Sequence, residues 1–291
     1  MIGQTVVKLI DPQSKDLAFT VYTFEDGSNF NSLSNYNCFS IILITKGSGT
    51  VISDMSTYSF PENSLLCFSL YQPFEVKSEG VLCGIAIHFH PDFFCLHKHR
   101  NEVSCNGILF NNIYHSLVTN LDDTEMQSLV TIANELKSEI QNAELAQYEL
   151  LISYLKIFLI NASRIKIKQE QIEELKAEKE PFISNALKDA VEQHFKTMHS
   201  SGDYANLLNT STQILNRASK TYFNKTFSNL IADRLIIEIK RELYLTAKPI
   251  KQIAYDLNFN DEFYFSRFFK SKVAVSPQTY RETIGFDRAD A

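Results

Sequence analysis

No stretch of this 291-residue chain approaches the roughly 18 consecutive apolar residues that a membrane-spanning helix needs, so a helical membrane protein is excluded. The N-terminus, MIGQTVVKLIDPQSKDL, lacks the basic flank and long apolar stretch of a secretion signal, and a cytoplasmic location is expected. Cysteine is scarce and odd in number. Five unevenly spread residues rule out a disulfide framework in a reducing compartment and leave thiols or metal ligands. The chain also lacks an overall basic excess, its formal net charge being −6. What is present is a 44% hydrophobic composition, ordinary for globular protein and sufficient for two cores at this length. The charge divides unequally. Lys and Arg number 13 against 22 acidic residues in 1–180, but 15 against 12 in 181–291, so only the C-terminal part has the sign to approach a polyanion.

From about Leu17 to Phe89, short apolar runs such as LAFTVYTF, FSIILIT, GTVIS and VLCGIAIHF alternate with turn residues at 46–49, 53–54, 61–63 and 78–80. These read as consecutive β-hairpins. Many evenly spaced strands favour a barrel or sandwich, and the Gly-Ser-Gly hairpin followed by Pro-Glu-Asn-Ser resembles a cupin-type barrel. After Asn120 the period becomes helical. Asp122 with Glu125 forms a capping-box-like start, and Met126, Leu129, Val130, Ala133, Leu136 and Ile140 follow at helical spacing. A second helix carries Leu150, Leu151, Tyr154, Leu155, Phe158 and Leu159; the pair either covers an open end of the barrel or meets a second protomer. The stretch RIKIKQEQIEELKAEKE cannot build a core and reads as a solvated helical linker ending at Pro181. The expected architecture is therefore multidomain. An all-β cupin-like barrel with a helical pair occupies 1–162 (strands about 17–90, helices about 122–162), a charged linker 163–181, and an all-α domain 182–291.

The last hundred residues contain a near-repeat. Ala205-x-x-Leu208 recurs as Ala254-x-x-Leu257, and Leu215-Asn216-Arg217-x-x-Lys220 recurs as Phe265-Ser266-Arg267-x-x-Lys270. Self-similarity at this period means one supersecondary unit used twice. In each copy a small residue lets two helices approach, Asn209 or Asn258 accepts the left-handed turn, and Ser211 or Asn260 is the expected N-cap of the second helix. This is a helix-turn-helix. Helical spacing places Gln213, Asn216, Arg217 and Lys220 outward in the first copy, with Ile214, Leu215 and Ala218 inward. In the second, Phe263, Ser266, Arg267 and Lys270 face outward, opposite Phe265, Phe268 and Phe269. Gln and Asn can bond adenine bidentately and Arg guanine, while Glu262 can accept from cytosine. Phe263 either meets a thymine methyl or covers a neighbouring helix. Between the copies, Leu230, Leu235, Ile236, Ile239 and Leu243 form an apolar seam. A helix there of about 25 Å, with the flanking units, approaches the roughly 34 Å between successive major-groove entries.

Residues 182–285, most clearly IKQIAYDLNFNDEFYFSRFFKSKVAVSPQTYR from 250 to 281, resemble the DNA-binding domain of AraC/XylS-family bacterial transcription regulators. The resemblance implies two recognition helices, at about 211–221 and 261–271, entering two successive major grooves of double-stranded DNA. It also implies a cupin-like sensor domain that receives an unknown small-molecule effector, homodimer formation, and contact with RNA polymerase. No cofactor and no catalytic residue are implied. Positions matching the family's base contacts are Gln213, Asn216, Arg217, Glu262, Phe263, Ser266 and Arg267; Thr212, Lys220 and Lys270 match phosphate contacts. The chain departs from the family where Asn258, Asn224 and Ala274 replace glycine.

The stretch HFHPDFFCLHKHR, with Cys105 beyond it, is dense in ligand types: His88, His90, Cys95, His97, His99 and Cys105. One reading is a metal or redox sensor; the other is a loop of solvated histidines and buried thiols. The spacing fits no zinc-finger pattern. A cupin enzyme fused to a DNA reader would need inward ligands converging on one cavity, and the candidates lie only at one edge.

Overall fold

The computed structural model describes residues 7–10, 17–27, 30, 32–78, 80–96, 99–103, 107–142, 144–176 and 181–284. The chain divides into two compact units, the first ending at Ile172 and the second comprising Glu173–Ala291 with the short segments Asp54–Ser56 and Ile113–His115. No helix of the described residues is long and apolar enough to cross a membrane.

In the first unit, nine strands form two antiparallel sheets. They are β1 (Val7–Ile10), β2 (Leu17–Phe24), β3 (Phe39–Lys46), β4 (Gly49–Ser53), β5 (Ser56–Phe60), β6 (Ser64–Phe68), β7 (Phe74–Ser78), β8 (Cys83–Phe89) and β9 (Val118–Asn120). The larger sheet runs β1-β2-β8-β3-β6-β9 and the smaller β5-β4-β7. The turn from β3 to β4, where the chain passes from the larger sheet to the smaller, depends on Gly47, whose φ is +92° and whose Cβ would lie 2.5 Å from the Val81 carbonyl oxygen. A core of Tyr22, Phe24, Ile42, Ile44, Phe68 and Ala86 from the large sheet and Val51, Phe60, Phe74 and Val76 from the small one lies between them. This alternation of inward residues is what period-two patterning dictates.

The expected closed barrel is not confirmed. Among the described residues the two sheets stay separate, and the isolated bridge from Ser34 to Phe74 of β7 starts from a residue outside the named strands. Alternation fixes which face of a strand is buried, but closure depends on which strands pair at the edges, and the hairpin pattern carries no such information.

A short helix, α1 (Arg100–Val103), follows β8. Helix α2 (Asp123–Gln141) opens on the expected capping box, with Asp122 accepting from the Glu125 amide at 2.8 Å and Glu125 returning the bond at 3.0 Å. It packs on β1, β2 and β8 through Met126, Leu129, Ala133, Leu136 and Ile140. Helix α3 (Gln147–Lys176) is 30 residues long and runs straight through the charged stretch. That stretch is anchored rather than wholly solvated. Buried Lys166 donates to the Ser116 and Val118 carbonyls, Gln169 accepts from the Asn120 amide, and Glu170 accepts from Asn112.

The second unit is helical: α4 (Pro181–His194), α5 (Ser201–Leu207), α6 (Thr212–Phe223), α7 (Phe227–Leu245), α8 (Ile250–Asp256), α9 (Glu262–Val273) and α10 (Pro277–Ile284). All five seam residues of α7 are buried, and the helix packs against α4, α6, α8, α9 and α10.

Candidate nucleic-acid interface

Two helix-turn-helix units emerge from the repeat. In the first, α5 leads through Asn209 (φ +49°) into α6; in the second, α8 leads through Asn258 (φ +59°) into α9. Both asparagines sit in the left-handed region that their short polar side chains tolerate. The turn of the second unit is one residue longer, so equivalent positions lie 49 apart before it and 50 apart after it. Buried Ala205 and Ala254 mark the close approach of the paired helices.

The N-caps differ between copies. Ser211 caps α6, its hydroxyl accepting from the Ile214 amide at 3.3 Å. The cap of α9 is Asp261 and not Asn260. Its two carboxylate oxygens accept from the Phe263 and Tyr264 amides at 2.9 and 3.1 Å. A carboxylate satisfies two orphan amides at once and favours the positive end of the helix dipole, an advantage no single amide oxygen matches.

Burial along the two recognition helices follows one pattern at an offset of fifty residues, differing at Thr212 (exposed) against Glu262 (half-buried) and at Phe223 (half-buried) against Val273 (buried). Gln213, Arg217, Lys220, Phe263, Arg267 and Lys270 are exposed, and Asn216 and Ser266 half-buried. Leu215, Phe265 and Phe269 are sealed in the core, while Phe268 is half-buried against Phe259. Phe263 keeps 76% of its surface accessible, which excludes its covering a neighbouring helix within this unit. Ile214 was expected inward and is 54% exposed. The buried place falls to Ser219, whose hydroxyl donates to the Lys225 carbonyl at 2.8 Å. Ile214 and Tyr264 occupy equivalent exposed positions beside the outward-facing polar residues. The repeat held that signal, since Tyr264 has a hydroxyl that favours water.

Asn216 has a second task. Its side-chain oxygen accepts from the Phe227 amide at 3.0 Å, closing the first turn of α7. The equivalent of Phe227 in the second copy is Pro277, which has no amide hydrogen, and Ser266 has no such duty. Sequence periodicity missed this bond because it joins residues eleven apart across a helix break.

Both recognition helices end in left-handed residues, Asn224 (φ +55°) and Ala274 (φ +67°). Behind α6, Lys225 and Asp233 form a buried ion pair at 2.8 Å. Burial holds the Asp233 carboxyl above its usual range, and Lys225 opposes that rise.

Residues 204–283 match the helix-turn-helix domain family. Over 164 residues, 56% of the chain, it is 26% identical to the raffinose operon transcriptional regulatory protein RafR of Pediococcus pentosaceus. These two matches show a helix-turn-helix domain in the C-terminal part of the chain, similar to part of a transcriptional regulator. The match spans about half the length of RafR, 55%. Among solved structures, ToxT from Vibrio cholerae O395 is 19% identical, with coverage of 92% of this chain and 98% of that one and a TM-score of 0.40. The C-terminal domain of AraT, a response regulator from Geobacillus stearothermophilus, is 27% identical over 37% of this chain and 89% of that one, at a TM-score of 0.34.

Among the described residues, the histidine and cysteine stretch does not assemble into one site. His88 is buried between the sheets, its Nδ1 2.8 Å from the Ser40 hydroxyl and its Nε2 3.3 Å from that of Tyr22, so both ring nitrogens are engaged. Burial pushes its pKa down to about 4. His90 faces Asp92 at 3.2 Å, and His99 faces Glu102 at 2.9 Å. Cys95 is buried separately. His97 and Cys105 lie outside the described residues. Among the described residues, no three His, Cys, Asp or Glu side chains converge as a metal ion would require. Closeness in sequence does not by itself bring side chains together when β8 ends and the chain turns between them.

Proposed function

We propose that this chain is a sequence-specific DNA-binding transcription regulator in which α6 and α9 enter two successive major grooves of one duplex, with α7 as the spacer. The observation that carries this reading is the shared exposure pattern of the two helices, which turns an Arg and a Lys outward at the same positions in each copy. Gln213, Arg217, Glu262, Phe263, Ser266 and Arg267 are assigned to base edges, and Thr212, Lys220 and Lys270 to phosphates. Phe263 is assigned to a thymine methyl. At 19 residues, α7 spans about 28 Å, a rigid length suited to that separation.

The N-terminal unit is assigned the reception of a small molecule, and the three-part division 1–162, 163–181 and 182–291 is retained as the working plan of the chain. Support comes from the polar set His88, Tyr22 and Ser40, with the Tyr36 ring 5.0 Å from His88, in an otherwise apolar core. Small-ligand sites commonly place a few polar groups in apolar surroundings in this way. A homodimer is assigned to α3, whose Leu150 and Ile157 are 41% and 47% exposed, and RNA polymerase is the expected downstream partner. No catalytic role is assigned.

The test is a footprint on a site selected from random duplex DNA. Arg217→Ala and Arg267→Ala should each lower specific affinity by about 1–3 kcal/mol, whereas Lys270→Ala should chiefly flatten the salt dependence. A footprint that neither arginine substitution alters refutes the assignment.

A further inference from the structure

Between α4 and α5 the chain passes through Phe195, Lys196, Thr197, Met198 and His199, and four of these reach elements distant in sequence. The buried Phe195 ring lies 3.8 Å under the Arg234 guanidinium of α7. Lys196 pairs with Glu238 of α7 at 3.0 Å. Burial alone would raise the Glu238 pKa, but Lys196, Arg234 and Arg241 hold it below the usual carboxylate range. The Thr197 carbonyl accepts from the side-chain amide of Asn258 at 2.9 Å. The His199 ring lies 4.8 Å from that of Phe259. Phe259 in turn packs on Phe265 and Phe268 of α9, at 5.2 and 5.5 Å.

One short segment thus grips the spacer helix on one side and the turn of the second helix-turn-helix on the other. The grip is absent from the first copy. Asn209 and Asn258 occupy equivalent exposed positions, but the only described bond of Asn209 is from its backbone amide to Asn206, whereas Asn258 adds the side-chain bond to Thr197. Elsewhere the second unit meets α7 through apolar packing, through Lys248, which pairs with Glu242 of α7 and Asp256 of α8 at 3.0 and 2.9 Å, and through Lys272 of α9, which donates to Asn229 of α7 at 3.4 Å; none of these holds the turn at Asn258, and α8 begins at Pro249 without a side-chain cap. Hydrogen bonds and ring contacts add the direction that packing lacks.

We propose that residues 195–199 form a clasp that fixes the pitch of α9 against α7, and thereby sets the number of base pairs allowed between the two half-sites the protein accepts. The proposal rests on the DNA-reading function above. Asn258 and His199 are positioning residues in it; neither is assigned to DNA.

The experiment is selection from random duplex DNA with the full-length chain, scored by the distribution of half-site spacings. It is followed by affinity measurements on the selected site and on the same site lengthened by one base pair. Wild type should enrich one spacing. Asn258→Asp keeps the shape but removes the donor. It should broaden the distribution and reduce the preference for the selected spacing about two- to tenfold, the range of one net hydrogen bond. Asn258→Gly relieves the left-handed backbone while removing the amide, and should broaden it equally with no fall in melting temperature. Asn209→Asp adds the same charge and should leave the ratio at the wild-type value. Wild-type spacing preference in a folded Asn258→Gly variant would overturn the clasp alone. Enrichment of no bipartite site by wild type would overturn the DNA-reading function, and the clasp with it.

Discussion

Replacing Ala274 by glycine should stabilise the end of the second recognition helix. Ala274 holds φ +67° and ψ −11° while its amide donates to the Lys270 carbonyl at 2.9 Å. The left-handed backbone costs an L-residue with a Cβ about 1–2 kcal/mol. Its methyl is exposed, so its removal sacrifices little buried surface. Glycine returns about 0.4–1 kcal/mol of that gain through the greater freedom of the unfolded chain. The net expectation is a stabilisation of about 0.5–1 kcal/mol. Amide hydrogen exchange of the full-length protein, followed by mass spectrometry on peptides from α9 and α10, would register this as about two- to fivefold slower exchange. Asn224→Gly at the equivalent position should give less, because asparagine already tolerates that conformation. Unchanged or faster exchange in Ala274→Gly would show that the left-handed cap stores no strain.

His88 should make the first unit acid-sensitive. Its folded pKa is depressed to about 4 from an ordinary 6.5, so the unfolded chain binds the proton more readily. Stability is then full above pH 6.5 and falls by about 3 kcal/mol in all as pH drops towards 4; His88→Gln should flatten the slope in urea titrations across this range. Asn216→Asp preserves the acceptor for the Phe227 amide and should melt near wild type, whereas Asn216→Ala should lose about 1–3 kcal/mol, read by calorimetry. Lys225→Met strands a buried carboxylate and should cost about 3–5 kcal/mol, while the double variant Lys225→Met, Asp233→Leu should recover most of it in the same assay.

How far the sequence speaks for the fold depends on the distance over which the information acts. Strands β2 to β8 were legible because glycine, proline and asparagine turns bracket them, and the Asp122 capping box because its partners are three residues apart. Strands β1 and β9, of four and three residues, were not, since so few residues give no period to read. Choosing Asn260 over Asp261 as N-cap was an error of one position that only the bonds to the Phe263 and Tyr264 amides resolve. The exposed face was legible at Gln213, Arg217, Phe263 and Arg267 because helical spacing alone sets it. The role of Asn216 was hidden because its partner lies across a break in secondary structure, and the scatter of His88, His90, Cys95 and His99 because tertiary geometry decides convergence.

The fifty-residue offset makes the two reading helices interchangeable templates for re-coding, but not in both directions. Grafting asparagine onto position 266 places it opposite Pro277, where no backbone hydrogen competes for it and the new amide is at liberty for a base. Grafting serine onto position 216 instead abandons the Phe227 amide at the mouth of α7. Recombining the two half-site preferences should therefore succeed when the first helix donates to the second, and carry a folding penalty when the exchange runs the other way.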